Sequence, residues 1–419
     1  MRILIATVTA GAGHVQAAAA LEEAWKALTP RDTVQRLDVL EFTPKLYRKM
    51  YVEGYVKLVE HAPELWAMVF KKTDNPALAR KLTRVRSAMR KLTTEKFVRR
   101  LWQFKPDVAL CTHYMPLEIM GRLKNDPKLA LSPGPRTVPV RSGCAESDDL
   151  RGFRSESTSR AAASRDGSRS DESGACIRPP LTVSVVTDFE AHALWMEPAV
   201  DLYCVAAEET KARLVARGTE PERVVVTGIP IAARFSSSVD VTAVRKRYGL
   251  RDDLPVLLVL SGGFGMGPVA EILSELNKLA TSVQIVVVCG RNEELRRELA
   301  VQERRHPTHV FGFATNMHEL MAVSDLIITK PGGLTSSEAL AMGKPMFVLN
   351  PIPGQEAANS DFLLEHGAAA KANRVEDLPF RLEKLLNSSK LAEMAAAAKS
   401  LGKPQAASAV CQAVLARLS

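Results

Sequence analysis

Short runs of β-branched and aliphatic residues recur along this chain with helix-patterned stretches between them, and this alternation constrains the fold more than any other feature. The runs fall at residues 3–6, 34–40, 107–111, 181–186, 202–205 and 224–227, and again at 256–260, 284–289, 326–329 and 346–349. A strand that is apolar along its whole length is buried on both faces, as happens where helices cover a parallel sheet on each side. A chain of 419 residues is long enough to bury two separate cores. The expected architecture is α/β, with two doubly wound Rossmann-like domains facing each other across a cleft. The N-terminal domain takes 1–233 and the C-terminal domain 234–402, with the polar stretch 234–254 as the connection. A helix within 403–419 closes the chain and is placed to pack back on the N-terminal domain.

Two segments interrupt the alternation. Residues 41–105 are helix-patterned, with Phe42, Tyr47, Tyr51, Tyr55, Trp66, Phe70, Phe97 and Trp102 set among basic side chains. Between 42 and 105 stand sixteen Lys and Arg against five Asp and Glu, an excess larger than the +9 of the whole chain. Cations that meet anionic headgroups, with rings at the boundary, suit a membrane surface; an ordinary solvated basic face is the alternative. Residues 127–179 are rich in Ser, Arg, Gly and Asp and poor in large apolar residues, so they are expected to form a disordered insertion within the N-terminal domain.

The first apolar run is too short for a signal-peptide core or a membrane span. The six cysteines (Cys111, Cys144, Cys176, Cys204, Cys289 and Cys411) lack C-x-x-C spacing and His partners. Reduced thiols in the cytoplasm and no metal site are expected. The basic balance alone does not distinguish nucleic acid, anionic lipid or acidic small molecules as partners.

Five groups of residues carry chemistry, and each follows an apolar run. Gly11, Gly13 and His14 follow the first strand and open a helix. Glycine there lets a ligand approach the backbone, and His14 stands at the carboxyl edge of the strand, where open α/β sheets face their crevice. Gly262, Gly263, Gly265, Met266 and Gly267 form a loop suited to wrapping a pyrophosphate, and the absence of a following Lys-Ser/Thr disfavours a P-loop NTPase. Arg291 and Asn292 follow the next strand and can present hydrogen-bonding groups to a base or phosphate; Asn316 and Met317 start a later helix. The most specific stretch runs from Thr329 to Glu338 and is followed by Gln355 and Glu356. There the turn at Gly332 and Gly333 leads into a helix whose free N–H groups at Leu334 and Thr335 can bind phosphate. Glu338, about one turn in, can accept both hydrogens of a ribose diol, and Gln355 and Glu356 can bond the hydroxyls of a sugar.

These residues resemble the inverting GT-B glycosyltransferases that include the monogalactosyldiacylglycerol synthases and the processive diacylglycerol glucosyltransferases, with the muramyl-pathway N-acetylglucosaminyltransferase as a more distant relative. The likeness covers nearly the whole chain except 127–179. It rests on the Gly-Ala-Gly-His at 11–14, the glycine loop at 262–267, Cys-Gly-Arg-Asn at 289–292, Gly-Phe-x-x-Asn-Met at 312–317, the Lys330–Leu340 stretch and Pro-Gly-Gln-Glu at 353–356. By resemblance Phe313 joins the donor side, and His113 and Thr187-Asp188 stand near the acceptor. The resemblance implies a single in-line displacement of UDP from a UDP-sugar, a substrate and not a cofactor, by a hydroxyl of a membrane lipid, diacylglycerol above all. His14, oriented by Asp188, is the candidate base, and no cofactor, metal or nucleic acid is expected. The implied location is the inner face of the cell membrane, held through 42–105. A UDP-sugar epimerase of the same architecture and a non-catalytic sugar-nucleotide binder remain as alternatives.

Overall fold

The computed structural model describes residues 1–9, 11–75, 78, 95–125, 179–262 and 267–419. Two six-stranded parallel sheets each lie between layers of helices. The N-terminal sheet comprises β1 (Arg2–Thr7), β2 (Thr33–Asp38), β3 (Val108–Cys111), β4 (Leu181–Val185), β5 (Leu202–Val205) and β6 (Val224–Val226), in the order β2-β1-β3-β4-β5-β6. Its helices are α1 (Ala12–Leu28), α2 (Lys45–His61), α3 (Pro63–Thr73), α4 (Glu95–Phe104), α5 (Tyr114–Asn125) and α6 (Glu208–Ala216). β1, β3 and β4 are buried almost throughout, as a sheet covered on both faces requires.

The second sheet begins after α7 (Val241–Tyr248) and has the order β12-β11-β10-β7-β8-β9. Its strands are β7 (Val256–Leu260), β8 (Gln284–Val288), β9 (Thr308–Phe311), β10 (Leu326–Thr329), β11 (Met346–Leu349) and β12 (Ala369–Ala372). Between and after them run α8 (Val269–Leu276), α9 (Glu293–Ala300), α10 (Met317–Val323), α11 (Gly333–Ala341), α12 (Gln355–Glu365), α13 (Leu378–Leu386) and α14 (Lys390–Leu401). The last helix, α15 (Ala406–Leu418), sets Val410, Cys411 and Val414 into the cluster that holds Ile3, Ile5, Leu21 and Trp25 of the N-terminal domain.

Strand order reverses between β1 and β3 in one sheet and between β7 and β10 in the other. In such sheets the crevice for a ligand opens at the carboxyl ends of the strands flanking the reversal. Those ends carry Thr112 and His113 beside the β1–α1 turn, and Ser261 and Gly262 beside Lys330–Gly333. The expected strand at 34–40 ends at Asp38, whose carboxylate accepts from the Leu40 N–H and turns residues 39–42 into a single 3₁₀ turn. The segment expected to be a disordered insertion, 127–179, lies outside the described residues except for its last one, as do 76–77 and 79–94 of the basic segment. Cys144 and Cys176 also fall outside them, and the four described cysteines are buried free thiols.

Candidate active site between the two domains

His14 occupies the first turn of α1. Its Nδ1 stands 2.9 Å from the Thr187 hydroxyl, and its backbone carbonyl accepts from the Thr112 hydroxyl at 3.0 Å. Burial pulls the imidazole down to about 4, against a hydrogen bond to the Thr112 backbone, so the ring is neutral at physiological pH. His113 packs edge-on against it, with ring centroids 4.8 Å apart. The His113 Nδ1 accepts from the Met115 N–H at 3.0 Å, which leaves the proton of the neutral ring on Nε2.

Asp188 follows β4 and does not orient His14. Its Oδ1 accepts from the Asn359 amide at 3.1 Å, while Thr187 takes the position on the imidazole. Burial pushes the Asp188 carboxyl up to about 6, with the Asn359 hydrogen bond opposing. Asn359 is fully buried on α12 and also accepts from the Phe189 N–H at 2.8 Å, so one side chain of the C-terminal domain secures two groups of the N-terminal one. It stands one turn after Gln355, a spacing readable from sequence but carrying no signal of this contact.

On the side expected to take the donor, α11 begins at Gly333, and a Cβ there would overlap the Thr187 carbonyl oxygen. Gly13 approaches the same helix: a Cβ on it would lie 3.7 Å from the Leu334 Cβ. The free N–H groups of Leu334 and Thr335 are thus brought, with Gly332, to the gap between the domains, facing Gly11, Gly13 and His14. Glu338 is half-buried on α11. Burial pushes its carboxyl up to about 8, with the Arg234 charge opposing. A cavity of about 600 Å³ is lined by Gly267, Lys330, Asn350 and Lys371, together with Glu64 of the α3 first turn.

Several residues expected on the donor side make local bonds. Glu356 turns back, its Oε2 accepting from the Ile352 N–H at 2.7 Å, and burial raises its pKa against the pull of that bond and of Lys330. Asn292 caps α9 by accepting from the Leu295 N–H at 3.0 Å. Asn316 donates to the Tyr248 hydroxyl and to Glu319, at 2.6 and 2.8 Å, with Met317 opening α10 behind it. The Arg291 guanidinium lies over the exposed Phe313 ring, 5.4 Å from its centroid. Gly262 and Gly267 adopt φ of +75° and +121°, which only glycine takes readily. Gly263, Gly265 and Met266 lie outside the described residues.

A second cavity, of about 280 Å³, opens where His14, Asp188 and Gln355 meet. Its walls are the inward faces of α2 and α3, with Tyr51, Leu58, Trp66 and Phe70, and its floor holds His113 and Trp195. The sequence pointed to rings in this region without showing that they converge on His14. α3 is fastened to the N-terminal domain by Asp74, just past its end, which pairs with Arg213 and Arg217 at 2.8 and 2.7 Å. His192 adds a contact from Nε2 to the Phe70 carbonyl at 3.0 Å.

Residues 14–133 and 172–231 match the family model described as monogalactosyldiacylglycerol (MGDG) synthase, and 256–410 match the glycosyltransferase family 28 C-terminal domain. Among curated proteins, the processive diacylglycerol beta-glucosyltransferase of Bacillus pumilus (strain SAFR-032) is 41% identical over 223 residues, 52% of this chain and 58% of that protein. The protein of the same name from Bacillus subtilis (strain 168) is 40% identical over 200 residues, 47% of this chain and 52% of that one. The chain therefore spans little more than half the length of these relatives. Among solved structures, MurG of Acinetobacter baumannii superposes over 100% of this chain and 99% of its own, with a TM-score of 0.57 at 17% identity. The S. aureus MnaA–UDP structure gives 0.57 at 13% identity, over 100% of this chain and 96% of its own. Likenesses at such identity speak for the fold alone, and that fold is GT-B. The first half of the chain thus matches the MGDG synthase family model and the second half the glycosyltransferase family 28 C-terminal domain, on one GT-B fold.

Proposed function

We propose that the chain is an inverting glycosyltransferase that moves a hexose from a UDP-sugar to the free hydroxyl of diacylglycerol, giving a glycolipid and UDP. One observation carries the reading: an aromatic cavity ends at His14 and Asp188, directly across a narrow gap from the glycine-opened N-terminus of α11. An apolar acceptor with one hydroxyl fits the cavity, and a diphosphate fits the helix end. The relatives named for diacylglycerol glucosyl transfer point the same way.

In this reading the uracil and ribose lie against α11 and the loops after β8 and β9, near Arg291, Asn292, Phe313, Asn316 and Met317. Glu338 takes the ribose diol. Gln355 and Glu356 hold sugar hydroxyls, the latter after giving up its bond to Ile352. The acceptor oxygen attacks C1 from the face opposite the leaving phosphate, which inverts the anomeric centre. Its proton passes to Asp188, whose raised pKa of about 6 suits a general base near neutrality, while neutral His14 hydrogen-bonds the same hydroxyl. Charge arriving on the departing diphosphate meets the amides of Leu334 and Thr335, the glycine loop at 262–267 and Lys330, a fixed electrostatic field already in place before the reaction. No cofactor or metal is required for this chemistry.

The acceptor is membrane-borne, and the surface of α2 and α3 suits a bilayer. Leu46, Met50, Leu65 and Met68 are exposed at 70, 67, 47 and 47%, among exposed Lys45, Arg48, Lys49, Lys71 and Lys72. Among the described residues no helix is long and apolar enough to cross a membrane. This surface supports docking at the inner face of the cell membrane from the cytoplasm, and nucleic acid is not proposed as a partner.

The test is product analysis with a panel of UDP-sugars, with and without diacylglycerol in anionic vesicles. Transfer predicts UDP release and a hexosyl lipid only when the lipid is present. A new UDP-sugar formed without lipid establishes an epimerase instead, and nucleotide binding with no turnover establishes a non-catalytic binder.

A further inference from the structure

Gly54 stands in the interior of α2, where glycine is a poor helix former relative to alanine. Its φ is not positive, so the backbone does not call for glycine. Nor does packing among the described residues: a Cβ built on Gly54 meets none of their atoms within 4 Å. Gly121 of α5 is different, because a Cβ there would run into the Glu197 carboxylate. Gly54 nevertheless faces the cavity that ends at His14, and it is the middle member of the stripe Tyr51, Gly54, Leu58 along that wall. Three and four residues apart, these side chains share one helical face, and the stripe is about 10 Å long at 1.5 Å per residue. The opposite wall is the matching stripe Trp66, Phe70, Thr73 on α3. A missing side chain at the centre of one aromatic-lined wall, unexplained by backbone or packing, leaves room for a ligand.

We propose that Gly54 is the specificity-determining residue of the acceptor cavity: the notch it leaves between Tyr51 and Leu58 admits an acyl chain of the acceptor and places the glycerol hydroxyl at Asp188. This rests on the acceptor reading given above. The occupant is an unbranched hydrocarbon chain, because the facing stripe offers rings and no convergent charge along its length. The chain enters between α2 and α3 from the exposed apolar edge, and its polar end stops at the histidine and aspartate floor.

The experiment uses the full-length protein with Gly54→Ala and Gly54→Leu. The first readout is independent of turnover: quenching of Trp66 and Trp195, both in the cavity lining, by diacylglycerol brominated on its acyl chains and presented in detergent micelles. Wild type is expected to be quenched, Gly54→Ala partly, and Gly54→Leu no more than by micelles without the lipid. The second readout is transfer to dioctanoyl and dioleoyl glycerol. Gly54→Leu is expected to raise the acceptor KM at least about tenfold, the scale of a methylene-sized misfit in an apolar pocket, with the KM for UDP-sugar unchanged. Gly54→Ala is expected to melt at a higher temperature than wild type, and so remains informative if the leucine variant fails to fold. Quenching without transfer in the wild type removes the glycosyltransferase reading and leaves the acyl-chain notch standing. A folded Gly54→Leu that keeps both the quenching and the acceptor KM overturns the proposal, as does a wild type that shows no quenching.

Discussion

A carboxyl group taken out of water is protonated where its exposed counterpart would be charged, and half-buried Glu338 is such a group: desolvation pushes it up to about 8, with the Arg234 charge opposing. If Glu338 accepts the two ribose hydroxyls of the donor as a carboxylate, binding must ionise it. Affinity for a UDP-sugar then rises with pH up to the free-state value of about 8 and levels off above it, the order expected when the free protein binds more protons than the complex. Below that value each unit of pH costs about 1.4 kcal/mol, or tenfold in Kd. With a free-state value of about 8, binding at about pH 7 should release about nine-tenths of a proton. Calorimetry in buffers of different ionisation enthalpy reads that release directly. UDP-glucose is the right ligand, because the terminal phosphate of free UDP titrates itself near about pH 6 and would mask the effect. His14, held at about 4, stays neutral throughout this range. Glu338→Gln should bind with a flat pH profile and no proton release. A wild type whose Kd is constant between about pH 6.5 and 8.5, with heats independent of the buffer, would refute the assignment of Glu338 to the ribose.

Gly333→Ala should lower kcat/KM by about a hundredfold, since the added methyl group must push α11 away from Thr187, and displacement of a reacting group by about 1 Å has that scale; steady-state kinetics beside a thermal melt separate this from unfolding. Asn359→Ala leaves the Phe189 N–H buried and unpaired, at a cost of about 1–3 kcal/mol to domain contact. The same change removes the bond that lowers Asp188, so the acidic limb of the pH–rate profile should move upward from about 6. At Asp74, burial is outweighed by the hydrogen bonds from Arg217 and the Ala193 N–H, and the carboxyl is held at about 2. Its contribution, about 2 kcal/mol before allowance for solvent screening, is present above the unfolded value of about 4 and lost as pH falls through about 2. Urea melts of Asp74→Asn at neutral pH should show that loss.

The central strands were legible because each is apolar from end to end, and only burial on both faces accounts for such a run. Two strands were not. β12 reads Ala-Ala-Lys-Ala, without the branched side chains that mark a strand, and it is a strand because β11 pairs with it residue for residue. β9 is an edge strand only half-buried along its length, so its pattern lacks the apolar continuity of its neighbours. The glycine turns with His14 and Glu338 stood out because each follows a legible strand. The pairing of Thr187 with His14, or of Asn359 with Asp188, joins residues 173 and 171 positions apart, and no local pattern carries a contact at that separation. The Glu356 contact is local by comparison, its carboxylate accepting from the Ile352 N–H four residues back.

Several of the contacts that hold the two halves together come from the segments that form the candidate site. Thr187 meets Gly333 and His14, Asn359 grips Asp188 and Phe189, and Phe189 stacks on Phe362 with ring centroids 4.4 Å apart. Phe70, a wall of the aromatic cavity, lies against the turn before Gln355, where a Cβ on Gly354 would come within 2.7 Å of the ring. Away from the site, Glu209 pairs with His366 at 3.0 Å, and α15 returns to the first domain. Closure and assembly of the site are consequently one event in this architecture: parting the domains would withdraw α11 from His14, uncover Asp188 and slacken the wall formed by α3.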